Sequence, residues 1–241
     1  MGAEGAWPVH PVEPGLRLRV VREMAPLPPS LDSVVERHWA AACARRPLFN
    51  GRVFSADVIG AGVIEGHWTE YRRVVAQMAD VALRAVLGVR SLAVCGVICG
   101  PDGVAVGRRE ARSAYQQGLW QMPPAGSVDQ GSGDGDGDGD GASWRMALMA
   151  ELREEMGMGA EHVLGLRLLC VVEHPTGVLD LGVRIDTGLD RDALLRCHAA
   201  APDQEYDRMM VVPPGEMAAR VAAEGGVLVP SAMPFLRLAP G

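Results

Sequence analysis

Residues 149–158 read MAELREEMGM. Glu151, Glu154 and Glu155 stand at i, i+3 and i+4, so any helix that carries them presents all three on one face. Gly157 supplies the stop signal for that helix. Three like charges crowded on one side repel one another unless a cation neutralises them. The stretch is therefore either an ordinary solvated face or a divalent-metal site.

Working outward, the spacing predicts a helix over about 143–156. Before it lies DQGSGDGDGDGDGAS, whose Gly-Asp alternation maximises backbone entropy and self-repulsion, predicting a flexible surface insertion at 130–141. The run lacks the large apolar residues of a calcium-binding coil. Further upstream, SLAVCGVICG and GVAVGRRE flank the turn PDG, a hairpin signal, and LWQMPPAGSV continues as an irregular extended segment. Downstream, VLGLRLLCVVEH, VLDLGVRID and YDRMMVVP read as strands, while RDALLRCHA and PGEMAARVAAEG read as helices. The N-terminal part alternates too. LRLRVV reads as a strand, PPSLDSVVERHWAAACARR as a helix, NGRVFSADVIGAGVIEG as one or two strands, and TEYRRVVAQMADVALRAVLG as one helix ending at Gly88. Residues 1–15, rich in Gly and Pro, are expected to be loose. The class is α/β, a mixed sheet packed between helices, with an α/β extension over 1–88 before a main domain over 89–241.

The run from Gly126 to Met158 resembles the Nudix box, whose second half is Arg-Glu-aliphatic-x-Glu-Glu-x-Gly-aliphatic. Glu151, Leu152, Glu154, Glu155, Gly157 and Met158 fall on its positions. LWQMPPAGSVD is similar to the segment that precedes the box in that family. The resemblance implies an α/β/α sandwich and a Mg²⁺ site, with Mn²⁺ as a substitute, ligated by Glu151, Glu154, Glu155 and the backbone carbonyl of Ala125. It further implies hydrolysis of a small-molecule diphosphate, with Glu154 and Glu151 coupling the metal to an attacking water. Glu205, just before a predicted strand, is the alternative base. Two box positions depart from the pattern, because Ala150 replaces the arginine and Ala142 the first glutamate. Arg145 and Arg153 are the nearby cations on the same helix. Arg108 and Arg109, which end a strand, are candidates to grip phosphate, and Tyr115 to stack on the substrate; Trp120 is the alternative stacking group, with the core as its competing place. His174 sits between two strands as a further candidate.

In the extension, RPLFNGRVFSADVIG and TEYRRVVAQ resemble segments of a Nudix subgroup that hydrolyses UDP-sugars. The implied substrate is a nucleoside diphosphate linked to a sugar or another organic group. The rival expectations are an enzyme acting on an isoprenyl or other non-nucleotide diphosphate, and a nucleotide-binding module impaired in catalysis.

Composition narrows the partners. The chain of 241 residues is 48% hydrophobic and 22% charged, a globular balance. Its net charge is −7, and all 23 basic residues are arginines scattered without a basic stripe, which argues against nucleic-acid binding. The five cysteines sit mostly in apolar runs, as free thiols of a reducing compartment do. Neither a signal-peptide pattern nor a long apolar span is present, so the expected location is the cytoplasm, away from membranes. The extension is the expected interface of a homodimer.

Overall fold

The computed structural model describes residues 7–111, 113, 116–131 and 142–239. The predicted Gly-Asp insertion and Tyr115 therefore fall largely or wholly outside the described residues.

In chain order the elements are β1 (Val9–Pro11), β2 (Arg17–Val20), α1 (Pro29–Cys43), β3 (Arg52–Ile59), β4 (Val63–Glu70), α2 (Tyr71–Ala79), α3 (Arg84–Leu87), β5 (Leu92–Gly100) and β6 (Gly103–Arg109). There follow β7 (Trp120–Gln121), β8 (Ala125–Ser127), α4 (Trp144–Met156), β9 (Gly165–Glu173), β10 (Leu179–Asp186), α5 (Arg191–Ala199), β11 (Tyr206–Val212), α6 (Met217–Ala223) and α7 (Ala232–Leu238). The main sheet runs β1-β9-β10-β5-β6-β11, with β7 on β6 and β8 on β5. Strand β10 is parallel to β5 and antiparallel to β9, so the expected mixed sheet is present.

Period-two alternation divides β5 between two cores. Leu92, Val94 and Ile98 join Leu148 and Leu152 of α4 on one face, whereas Val97 joins Met217, Val221 and Phe235 of α6 and α7 on the other. Helices thus cover both faces. The extension does not stand apart, because Leu18, Phe54, Ile64 and Trp68 belong to the core that α4 closes. Phe54 N–H also donates to Val128 O at 2.8 Å, and Ala56 N–H to Arg90 O at 2.9 Å, joining β3 to the main domain through its backbone.

The β5–β6 hairpin pairs only at its closed end, at Cys99↔Val104 and Gly100↔Gly103. Beyond that the strands splay: β8 pairs with Ala93–Cys95 and β7 with Gly107–Arg108. This split opens a cleft in the sheet, and α4 packs against both β5 and β8 beside it.

Two expectations need correction, and one element was not anticipated. Within residues 1–15, β1 is ordered against β9, where Pro11 is tolerated because the strand is at the sheet edge. The single helix expected over 69–88 is broken at Asp80, whose extended backbone ends α2 and whose carboxylate accepts Ala82 N–H at 3.0 Å to start a new turn. Helix α7 was not expected; Pro234 argues against a helix by composition but lies in its first turn, where no intrahelical donor is lost.

Candidate functional site

Helix α4 begins as predicted, with Ser143 Oγ accepting Met146 N–H at 3.3 Å, and it ends at Gly157 with φ of 62°. A Cβ on Gly157 would come within 2.4 Å of Cys197 O, so the terminal turn can close against α5 only without a side chain. This fixes the glutamates against the cleft. Leu148, Leu152 and Met156 anchor the buried face of the helix.

The three glutamates do not share one environment. Glu155 is buried at 2% exposure, Glu151 is half-buried, and Glu154 is exposed. Glu151 and Glu155 line a cleft of ≈ 200 Å³ together with Ala125, Gly126, Arg109 and Glu205. Glu154 stays at the rim, close enough to Glu151 for its charge to raise the Glu151 pKa. Its side chain does not line the cleft.

Glu151 reaches the cleft across the backbone of β8. A Cβ on Gly126 would lie 1.7 Å from Glu151 Oε1 and 2.0 Å from its Cδ, so the carboxylate occupies the space that any side chain at 126 would fill. Glu155 is held from two sides. Ala125 N–H donates to its Oε2 at 3.0 Å and Tyr206 O–H donates to the same oxygen at 3.1 Å. Gln121 Nε2 in turn donates to Tyr206 Oη at 2.8 Å. Burial and the Glu155 charge push the Tyr206 hydroxyl well up, keeping it a donor.

Burial, reinforced by the charges of Glu154 and Glu205, pushes Glu151 up to about 8. Burial and the charges of Glu151 and Glu205 likewise drive Glu155 well above the ordinary carboxylate range, against the pull of the Ala125 amide and Arg109. Asp180, at the cleft floor, is raised to about 6 by burial, opposed by hydrogen bonds to Ser231 and Cys95. Opposite α4, Arg109 Nη2 donates to Glu205 Oε2 at 2.8 Å, and Arg46 of the extension approaches Glu205 Oε1 at 3.9 Å.

Among the described residues, no three carboxylate, imidazole or thiol groups converge tightly enough to form a finished metal cage. The donor set still fits a hard divalent ion. Mg²⁺ commonly takes one or two carboxylates and completes its shell with water and phosphate oxygens. After burial, the charge of Glu205 helps to raise the proton affinity of both Glu151 and Glu155, a sign of negative charge without enough compensating cation.

Other candidates lie elsewhere. Arg108, the neighbour of Arg109 on β6, donates to Asp207 at 2.7 Å and does not line the cleft. Trp120 is fully buried in the α6/α7 core. His174 packs edge-on to Trp7 and bonds Thr176, outside the cleft, and burial holds its pKa down to about 4. Ala142 is buried in the core, and Ala150 brings no charge to the helix. Arg145 is exposed over the Trp144 ring at 5.1 Å, and Arg153 is exposed. Among the described residues the cations beside the carboxylates are therefore Arg109, from the sheet, and Arg46, from the extension, and neither comes from α4. Sequence reading missed Tyr206, Gln121 and Asp180. Tyr206 adjoins Glu205 in sequence, but nothing local marks its hydroxyl as the partner of Glu155.

No family model matches this chain, and no curated protein matches it. Among solved structures it is similar to the Nudix domain of Shewanella oneidensis NrtR complexed with ADP-ribose, with 14% identity, 63% of this chain and 86% of that one covered, and a TM-score of 0.45. A Nudix hydrolase from Alicyclobacillus acidocaldarius is 16% identical over 62% of this chain and 91% of its own, with a TM-score of 0.44. A MutT Nudix hydrolase from Burkholderia pseudomallei is 15% identical over 62% of this chain and 98% of its own, with a TM-score of 0.43.

Proposed function

We propose that this protein is a Nudix-type, divalent-metal-dependent pyrophosphohydrolase that cleaves a nucleoside diphosphate linked to a sugar or another organic group. The observation that carries the reading is the delivery of Glu151, across Gly126, and Glu155, beside Ala125, both on box positions of one helix, into a single cleft with Glu205. Glu151 is the central ligand, flanked by Glu155 in the floor and Glu154 at the rim, with the Ala125 carbonyl beside them. Mg²⁺ or Mn²⁺ bound there would neutralise diphosphate oxygens and activate a water.

The chain's own groups account for the remaining needs. Tyr206 and the Ala125 amide fix one Glu155 oxygen and leave the other to the cleft. Glu205, steered by Arg109, is the proposed acceptor of the water proton. Arg109 also takes over the charge balance that Ala150 lacks, because it is buried and lowers the proton affinity of Glu155. We place the protein in the cytoplasm. All five cysteines are unpaired thiols, and among the described residues no helix is long and apolar enough to cross a membrane.

The test is mass-spectrometric product analysis with Mg²⁺ or Mn²⁺ against nucleotide sugars, dinucleotides, nucleoside triphosphates and prenyl diphosphates, with Glu151→Gln as control. Metal-dependent release of a nucleoside monophosphate, lost in the control, is the expected result. Turnover of prenyl diphosphates alone, or no turnover by a folded protein, would reject the assignment.

A further inference from the structure

The carboxylate cleft is too small for a whole nucleotide sugar. At ≈ 200 Å³ it has room for ions and a diphosphate but falls below the range of about 300–1,000 Å³ usual for organic ligands. A second chamber of ≈ 540 Å³ adjoins it. Arg46, Tyr71, Met78 and Gln116 line both, so the two volumes are continuous. One wall comes from the extension, where α1 ends and α2 runs past. The other comes from Ala111, Ser113, Gln116 and Gln117, which follow β6 in the chain.

The lining is specific in three ways. Among the described residues no carboxylate lines the chamber, although Glu151, Glu155, Asp180 and Glu205 line the cleft next to it. Arg45 and Arg46 bring positive charge, while Leu48, Val75 and Met78 supply an apolar wall. Third, Ser113 Oγ and Gln116 Nε2 are shielded from solvent and have no hydrogen-bond partner among the described residues. Ser113 is only 1% exposed. Buried polar atoms left unpaired are costly, and in a chamber wall they mark where a ligand's polar edge belongs. Gln116 also holds a φ of 54°, a left-handed conformation rare for a residue with a side chain.

We propose that this chamber seats the nucleoside half of the diphosphate, with the base against Leu48, Val75 and Met78 and its polar edge on Gln116 and Ser113. The proposal rests on reading the carboxylate cleft as the diphosphate site. A glutamine amide offers a donor and an acceptor side by side, which matches the edge of a nucleobase. A sugar, rich in hydroxyl donors, would call for carboxylate acceptors, and the described residues of the chamber wall offer none. Arg46, placed between the two volumes, suits the phosphate that links them. The sugar or other leaving group then projects from the opposite side of the carboxylates.

The experiment is calorimetric titration of the metal-free full chain with uridine, cytidine, adenosine and guanosine monophosphates and with glucose 1-phosphate. Wild type is compared with Ala79→Trp and Gln116→Ala. Ala79 is exposed and lines the chamber, so tryptophan there fills space without displacing core. At least one nucleoside monophosphate should bind, at least tenfold more weakly in Ala79→Trp and several-fold more weakly in Gln116→Ala, while Mn²⁺ affinity is unchanged. Absence of nucleotide binding, nucleotide binding indifferent to both variants, or glucose 1-phosphate binding lost in Ala79→Trp would overturn it. Because the readout is binding without metal, a protein that hydrolyses nothing but binds nucleotide in this manner would sink the hydrolase reading and leave the chamber standing.

Discussion

Replacing Glu151 by glutamine should stabilise the metal-free protein in alkali and leave it unchanged in acid. Burial and the charges of Glu154 and Glu205 raise this carboxyl from the usual 4.5 to about 8 in the folded chain. The unfolded chain releases its proton near the ordinary value and the folded chain keeps it until about 8. The contribution of this group to stability is therefore complete below about pH 4.5, declines as pH rises, and is gone above about pH 8. At about 1.4 kcal/mol per pH unit the full shift is worth roughly 5 kcal/mol. Partial exposure and coupling to the neighbouring Glu155 carboxyl reduce that to about 2 kcal/mol. Glutamine cannot ionise, so Glu151→Gln should raise Tm at pH 9 in EDTA by about 4–8 °C for a chain of this length, and by nothing measurable at pH 5. Millimolar Mg²⁺ should reverse the order at pH 9, because only the wild type can use the ion. Thermal unfolding followed by circular dichroism at the two pH values measures this directly. Equal melting of wild type and variant at pH 9 without metal would refute the claim that Glu151 is held in a cleft short of positive charge.

Other substitutions separate the parts of the site. Gly126→Ala should displace the flexible Glu151 carboxylate, costing little in urea stability, under about 1.5 kcal/mol, while Mn²⁺ affinity falls at least tenfold; unchanged affinity would show that the carboxylate does not work from that position. Tyr206→Phe removes one donor to Glu155 and leaves Gln121 unpaired, so chemical denaturation should register a loss of about 1–2 kcal/mol. Gly157→Ala meets both a left-handed backbone and the Cys197 carbonyl, and should cost about 2 kcal/mol or more, measured in the same way. Arg109→Met should lower turnover and Mn²⁺ affinity together, and adding Ala150→Arg should recover part of both if Arg109 stands in for the box arginine; no recovery argues for a separate role.

The legible parts of the sequence were those set by local rules. The i, i+3, i+4 spacing and Gly157 suffice to define the end of α4 and the face that carries the glutamates, and apolar runs around turn signals suffice for β5, β6, β9 and β10. What escaped depends on distant partners. The order in β1 comes from pairing with β9, more than 150 residues away by the register His10↔Val171, and no pattern in a Gly/Pro-rich stretch announces that. Helix spacing places Glu151, Glu154 and Glu155 on one face, but their different burial follows from where β8 and β11 cross that face. Tyr206 and Asp180 enter the site only because the β5–β6 hairpin splays, which PDG and its flanking strands do not foretell. The paired Arg108 and Arg109 part company for the simplest reason: neighbours on a strand point to opposite sides.

The central claim, that the α4 carboxylates form a divalent-metal site, is tested most directly by electron paramagnetic resonance of Mn²⁺ titrated into wild type, Glu151→Gln and Glu155→Gln at pH 8. The account predicts saturable binding that silences the free-ion signal in wild type, and loss of at least tenfold in affinity in each variant, with competition by Mg²⁺. Identical Mn²⁺ binding by all three proteins, or none by the folded wild type in the presence of a diphosphate, would contradict it.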